Sequence, residues 1–365
     1  MRTTSTRTAP VSSPEDWRII AGDCLTELTA LPDVSVDAVV TDPPYGIDFQ
    51  GESWDGTAIR QAANARHNRP LSPGESFQAW STVWAAECLR LLKPGGHLLA
   101  FGAPRTVHRL AAGIEDAGLE LRDTLMWLYG TGMPKSRRLP GGRGTQLKPA
   151  YEPIVLARRP PDGSILATIA EHGTGALNVD ACRVNDRYPA HLALSHAPGC
   201  SDTACHPSCP VQLVDDSAAR GRGQRHMSRL FYCPKASRRE RDAGCEDLPT
   251  RTLDIFPNAQ RNGSKPPAKA ANIHPTVKPI ELMRWLVRLT APPNGTVLDP
   301  FCGSGSTGAA AVLEQRRFIG IELDANYRRI AKARIAHWSA QARSQQQPTR
   351  SNGGGGATNG RARPR

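Results

Sequence analysis

At 365 residues the chain is long enough for one large α/β domain carrying an insertion, or for two domains, and either buries a sizeable core. Its formal net charge of +12, carried by arginine more than lysine, favours a polyanionic partner, although an Arg-rich proteome would give the same balance. No apolar stretch has the length of a membrane span, the first residues lack the apolar core of a signal peptide, and nine scattered cysteines argue against a disulfide framework, so the chain reads as intracellular, that is cytoplasmic.

Residues 1–15 are polar and rich in Thr, Ser and Pro, and are expected to be disordered. Apolar patterning then predicts a strand over 17–20, a short helix over 24–30 and a strand over 36–40. A long amphipathic helix is predicted over 77–92, stopped by Lys93-Pro94-Gly95-Gly96, and a strand over 97–101. Helix 106–117 and strand 121–128 follow, and the alternation implies a mostly parallel sheet covered on both faces.

From about 159 to 271 neither period persists, and Gly, Pro, Arg, His and Cys dominate, as in a long functional insertion or a partly disordered segment. Regular order returns with helix 279–289, strand 296–298, helix 306–314, strand 318–321 and helix 325–340. The chain therefore divides into 1–15 (disordered), 16–158 (first α/β half), 159–271 (irregular insertion), 272–341 (second α/β half) and 342–365 (disordered basic tail).

Two motifs stand at predicted strand ends. Asp42-Pro43-Pro44-Tyr45 follows the run Val36-Asp37-Ala38-Val39-Val40-Thr41 and offers acceptors for the N–H groups of a planar amine with a ring to stack on its face, a site for a nucleobase. An ordinary turn after a strand would use the same residues. The second motif, Asp299-Pro300-Phe301-Cys302-Gly303-Ser304-Gly305, joins a strand to a helix start, with Glu322 about 20 residues on, which also satisfies a dinucleotide fingerprint. Asp299 would repel a pyrophosphate, and little ordered chain follows Glu322 to complete a dinucleotide fold. S-adenosylmethionine, with its ammonium and sulfonium, suits Asp299, while Glu322 can accept from ribose hydroxyls.

With Gly22-Asp23-Cys24, Leu92-Lys93-Pro94-Gly95-Gly96 and His274-Pro275-Thr276-Val277-Lys278-Pro279 added, the chain resembles the adenine-N6/cytosine-N4 DNA methyltransferases. Its motif order, catalytic motif first and cofactor loop last, resembles their circularly permuted beta group. The resemblance covers both α/β segments but not the middle. It implies a Rossmann-like S-adenosylmethionine-dependent fold with a twisted, mostly parallel seven-stranded sheet containing one antiparallel strand, and a target-recognition region at 159–271. It implies base flipping and direct attack by the amine, with Asp42 and the Pro43 carbonyl accepting its N–H groups, Pro44 shaping the turn and Tyr45 stacking on the extruded base.

Asp299, Pro300, Phe301, Gly303, Gly305 and Glu322 are the expected cofactor residues. The resemblance adds Thr276 and Lys278 at the amino-acid end, while Asp23 either accepts from the cofactor adenine or caps the following helix. Basic clusters containing Arg137, Arg138, Arg225, Arg229, Lys235 and Arg238 are expected to meet DNA phosphates, a solvated basic face being the alternative. Cys200, Cys205 and Cys209 have a spacing compatible with a structural zinc knuckle; reduced thiols are the other reading. Asp at the head of the Pro-Pro-Tyr motif resembles the adenine enzymes, with cytosine N4 as the runner-up and RNA, protein-glutamine or inactive DNA-binding readings behind it. Double-stranded DNA is the implied partner, a homodimer is left open, and no endonuclease site for restriction is visible in the chain.

Overall fold

The computed structural model describes residues 16–129, 139–184, 188–194, 209, 212, 231–233, 235–252 and 269–346. The expectations for 1–15 and for the tail beyond 346 lie outside them, whereas 342–346, expected to belong to the disordered tail, continue the last helix.

Strand β1 (Trp17–Ala21) leads through α1 (Cys24–Glu27) to β2 (Val36–Thr41), which is buried along its whole length. Helices α2 (Thr57–Asn64) and α3 (Pro73–Leu91) precede β3 (Leu92–Phe101). α3 starts earlier than its apolar pattern predicts because Ser72 and Glu75 form a reciprocal capping box around Pro73. The expected stop at Lys93–Gly96 is itself strand: the chain passes from α3 directly into β3.

Helix α4 (Val107–Asp116) leads to β4 (Glu120–Leu128), and β5 (Tyr151–Arg158), which the apolar patterning does not predict, comes next. The irregular middle contributes α5 (Ile165–His172), β6 (Leu192–Leu194), β7 (Phe231–Tyr232), α6 (Arg238–Asp242) and the two-residue strands β8 (Arg251–Thr252) and β9 (Lys269–Ala270). The last section runs α7 (Ile280–Thr290), β10 (Thr296–Asp299), α8 (Ser306–Leu313), β11 (Arg317–Glu322) and α9 (Ala325–Gln346). No described helix is long and apolar enough to cross a membrane.

The main sheet has the order β1-β11-β10-β2-β3-β5-β4-β6-β7, and β5 is antiparallel to both its neighbours while every other pair is parallel. The expected seven strands with one antiparallel member are therefore present, extended at one edge by short β6 and β7. Alternate residues of the central strands feed two separate cores. Val40, Leu99, Phe101, Ile154 and Val297 pack on one face, and Val39, Leu98, Ala100, Val155 and Leu298 on the other. This two-sided burial is why the strands read as continuous apolar runs.

β10 and β2 are parallel neighbours, Val297 beside Ala38 and Leu298 beside Val39. From β10 the chain proceeds through α8 to β11 on one side, and from β2 through α3 to β3 on the other. The strand order thus reverses between them, and both motifs leave the sheet at its carboxyl edge beside that crevice.

Candidate active site

Asp42-Pro43-Pro44-Tyr45 forms the loop after β2. Proline fixes its φ and contributes no N–H, so the shape of the following turn depends on where the next amides find acceptors. They converge on one buried side chain, Asp55, whose carboxylate accepts from the backbone N–H of Tyr45, Gly46 (2.9 Å), Ile47 (3.1 Å) and Phe49 (2.7 Å). Thr106 at the head of α4 closes the other side, its hydroxyl donating to the Tyr45 carbonyl at 2.7 Å. Asp55 carries no signal in the sequence: it lies in a polar stretch, and its partners are several residues back.

Around Asp42 stands a compact charged cluster. The Lys278 ammonium bonds Asp42 Oδ2 and lies 3.3 Å from Glu152 Oε2. The Tyr45 hydroxyl is 2.8 Å from Asp42 Oδ1, 3.2 Å from Glu152 Oε2 and 3.2 Å from Lys278 Nζ. Tyr129 donates to Glu152 Oε1 at 3.3 Å. Burial raises the Asp42 carboxyl, and Lys278 opposes that rise while Glu152 adds to it. Burial alone would lower Lys278, but Asp42 and Glu152 more than reverse this and raise it. Burial, with Asp42 and Glu152 beside it, raises the Tyr45 phenol well above its ordinary value, so the ring stays protonated.

Lys278, expected at the amino-acid end of the cofactor, lines the cleft just before α7 begins and pairs there with the carboxylate of the Pro-Pro-Tyr loop. Glu152 carries almost no signal in the sequence. Its one hint is the start of an apolar run at 151–158, and the antiparallel return of β5 between β3 and β4 brings it to the site.

The glycine turn lies across the crevice. Asp299 is 2 % exposed and its carboxylate is committed within the protein, to the Thr41 hydroxyl at 2.7 Å, the Phe301 N–H at 3.1 Å and the Thr307 hydroxyl. Burial nonetheless raises it to about 6. It joins the two motif loops, because the adjacent strands β2 and β10 end side by side, and it also lines the cleft. Phe301 packs its ring at 5.4 Å from Trp80 and 5.5 Å from Trp84 of α3, so its aromatic face is used largely in packing. Glu322 accepts from the Gly303 N–H and the Asp324 N–H, each at 2.8 Å, and burial raises its carboxyl to about 7. Asp23 caps α1 through the Leu25 N–H at 2.9 Å while still lining the cleft.

Gly303 (φ 52°) and Gly305 (φ 77°) occupy left-handed conformations, and a Cβ at Gly303 would lie 2.7 Å from His274 Nε2. Burial, then Lys278 and Arg241, depress His274 to about 3, so its ring is neutral. Thr276 lies close by, its N–H donating to His274 Nδ1 at 3.3 Å. At Gly305 a Cβ would stand 2.9 Å from the Ala331 Cα on α9. Gly305→Ala is therefore expected to weaken cofactor binding by about tenfold or more, since it adds backbone strain of about 1–2 kcal/mol to a clash with rigid backbone. Isothermal titration of the purified variant measures the change, and unaltered affinity would contradict it.

Both loops open on one cleft of about 1560 Å³. Its far end carries Asp23, Glu322 and Asp324 beside the side-chain-free wall at Gly303. Carboxylate acceptors grouped in this way suit a ligand bearing hydroxyls, amines and positive charge rather than a pyrophosphate. S-adenosylmethionine fits that donor set.

Of the expected DNA contacts, Arg137, Arg138, Arg225 and Arg229 lie outside the described residues. Lys235 sets its ammonium 3.5 Å from the centre of the Tyr129 ring and lines the cleft. Arg238 bonds the Lys269 carbonyl and stands 3.9 Å from Asp242. Both residues remain exposed. Cys200 and Cys205 lie outside the described residues; Cys209 is buried, and among the described residues no three His, Cys, Asp or Glu side chains are grouped to hold a metal ion.

A family model described as DNA methylase matches residues 36–333. The type II methyltransferase M.HindIII of Haemophilus influenzae is 24 % identical over 357 residues, covering 87 % of this chain and 94 % of its own. The DNA adenine methyltransferase YhdJ of Escherichia coli is 24 % identical over 327 residues, covering 88 % of this chain and 85 % of its own. Among solved structures, the cytosine-N4-specific PvuII DNA methyltransferase superposes with a TM-score of 0.53 at 15 % identity, over 92 % of this chain and 94 % of that one, a likeness of fold.

Proposed function

Because the chain belongs to the N6/N4 family of DNA methylases, we propose that it is a site-specific enzyme that methylates the exocyclic N6 amine of adenine in duplex DNA. The observation that carries this reading is the placement of Asp42 and Tyr45 at the end of β2, opening on the same cleft as the glycine turn after β10. The adenine choice rests on the Asp at the head of the motif and is supported by the name of the E. coli relative. The type II designation of the H. influenzae relative supports a restriction–modification setting.

S-adenosylmethionine supplies, when bound, an electrophilic methyl group on a sulfonium that needs no further activation to leave. The protein's task is to present the amine. An adenine amine is a weak nucleophile because its lone pair is delocalised into the ring. Asp42 and the Pro43 carbonyl accept its two N–H bonds, pulling nitrogen toward tetrahedral geometry and freeing the lone pair. Tyr45 stacks on the extruded base and repays part of the few kcal/mol spent on unstacking it. Gly303, Gly305 and Pro300 shape the cofactor turn, Asp299 ties it to β2, and Asp23, Thr276 and Glu322 line its binding end. Residues 159–271 take the role of target recognition, with Lys235 at the edge facing the base.

Glu322 has a titration consequence. Its carboxyl is raised to about 7 by burial, and only the ionised form offers full acceptor strength to ribose hydroxyls. Cofactor affinity is expected to increase as pH climbs through about 7, and Glu322→Gln to bind more weakly with a flat profile. Titrations between roughly pH 6 and 8 test this; a sloping profile in the Gln variant would assign the dependence to another group.

The reaction is tested by transfer from labelled S-adenosylmethionine to unmethylated duplex DNA, with RNA and protein as controls, followed by nucleoside mass analysis. N6-methyladenine is the expected product. N4-methylcytosine would keep the chemistry and change the base, while label in RNA or protein alone would overturn the DNA assignment.

A further inference from the structure

The cluster around Asp42 contains more charge than the acceptance of an amine requires. Glu152 enters from β5, the antiparallel strand, and Lys278 from the segment before α7; their side chains are 18 % and 7 % exposed, and that of Asp42 is 17 %. The Lys278 ammonium therefore sits between two carboxylates, bonded to Asp42 and 3.3 Å from Glu152. Glu152 is held in turn by the Tyr45 hydroxyl at 3.2 Å and the Tyr129 hydroxyl at 3.3 Å.

That arrangement bears on catalysis in two ways. A carboxylate neutralised by an ammonium is a poorer acceptor for an amine N–H, so Lys278 on Asp42 opposes the function proposed for Asp42. Positive charge also develops on the amine nitrogen as it is methylated, and a second cation against it is unfavourable in a partly buried site. Two carboxylates and one ammonium leave one net negative charge, the complement of the charge that appears.

Resting on the reading of the site as a DNA amino-methyltransferase, we infer that Glu152 is a positioning residue. It draws the Lys278 ammonium off Asp42 as the target amine enters and holds the cluster at one net negative charge. Lys278 has the reciprocal task of keeping Asp42 ionised beside Glu152. The shifts agree in direction: burial and Glu152 raise Asp42, and Lys278 lowers it. The other titratable groups facing the cluster are Tyr45, Tyr129, Lys235, His274 and Asp299.

The test is a double-mutant cycle on the full chain, with single-turnover methyl transfer to duplex DNA measured for the wild type, Glu152→Gln, Lys278→Met and the double variant. Glu152→Gln leaves Asp42 as the only carboxylate of the trio facing Lys278, and the rate constant falls about 10²-fold with the KM for DNA changed less than about threefold. Removing Lys278 as well restores one net negative charge, so the double variant recovers about tenfold over Glu152→Gln. Lys278→Met alone leaves two facing carboxylates and moves the acid limb of the pH–rate profile upward by about one pH unit. Glu152→Asp regains part of the rate. Melting temperatures and cofactor affinities of the same proteins separate these effects from misfolding.

Losses that multiply in the double variant, or a Glu152→Gln effect confined to KM, with an active wild type, overturn the inference alone and leave Glu152 a structural residue. A wild type that transfers nothing to DNA overturns the underlying reading, and the inference falls with it.

Discussion

Asp42→Ala is expected to reduce methyl transfer to DNA by about 10³-fold or more while S-adenosylmethionine affinity stays within about threefold. Asp42 supplies an acceptor needed only as the amine becomes a nucleophile, so its loss falls on the rate constant rather than on cofactor binding. Its carboxylate lies outside the glycine turn, whose hydrogen bonds run through Asp299 and Glu322. Lys278 keeps Glu152 as a partner in the variant, which limits structural damage to the loop. Single-turnover transfer and equilibrium cofactor binding, measured on the same preparation, decide the matter. Retention of more than about a tenth of the wild-type rate would move the amine-binding acceptor elsewhere.

Asp55→Ala is the second large effect, and it acts at a distance from the chemistry. One carboxylate accepts four backbone N–H groups of the turn that follows Pro44, and in the variant they lose their acceptor together. Charge-assisted bonds of this kind contribute about 1.5–3 kcal/mol each when taken singly, and because they share one acceptor they do not add; a joint loss of about 3–5 kcal/mol of local stability is expected. Tyr45 is the first residue held, so the stacking ring loses its orientation and the transfer rate falls about 10²-fold. A small displacement of a positioned group suffices for a loss of that size. Hydrogen exchange at residues 45–49 reads the loosening directly. Unchanged exchange with an unchanged rate would show that the two prolines and Thr106 hold the turn without Asp55. Asp55→Asn is expected to fall between, since an amide oxygen can accept only part of the set while its NH2 group opposes the rest.

Much of the site is legible in the amino-acid sequence because its parts are local. Asp42-Pro43-Pro44-Tyr45 and Asp299–Gly305 each follow a buried strand, and a buried strand announces itself as an unbroken apolar run ended by Pro or Gly. The resemblance carried by those motifs implies the sheet and its antiparallel member, and only the folded chain locates that member at Tyr151–Arg158. Its short apolar run gives no indication of direction or of neighbours, because periodicity encodes which residues are buried and not what they are buried against.

What the sequence determined by itself was therefore most strands and helices of the two α/β halves, though not α2 or β5, together with the two loops at their ends and the chemistry those loops can hold. Tertiary structure alone decided how charge is distributed among them. Asp299 bonds Thr41, Phe301 and Thr307, Lys278 pairs with Asp42, and Lys235 stands over the Tyr129 ring, partners that no local pattern announces. Glu152 and Asp55 looked like nothing and hold the loop and its charge balance. The reason is physical: a strand or a turn follows from dihedral preference and burial within a few residues, whereas the partner of a charged side chain is whichever group the packed chain brings within about 3 Å, across any separation in sequence.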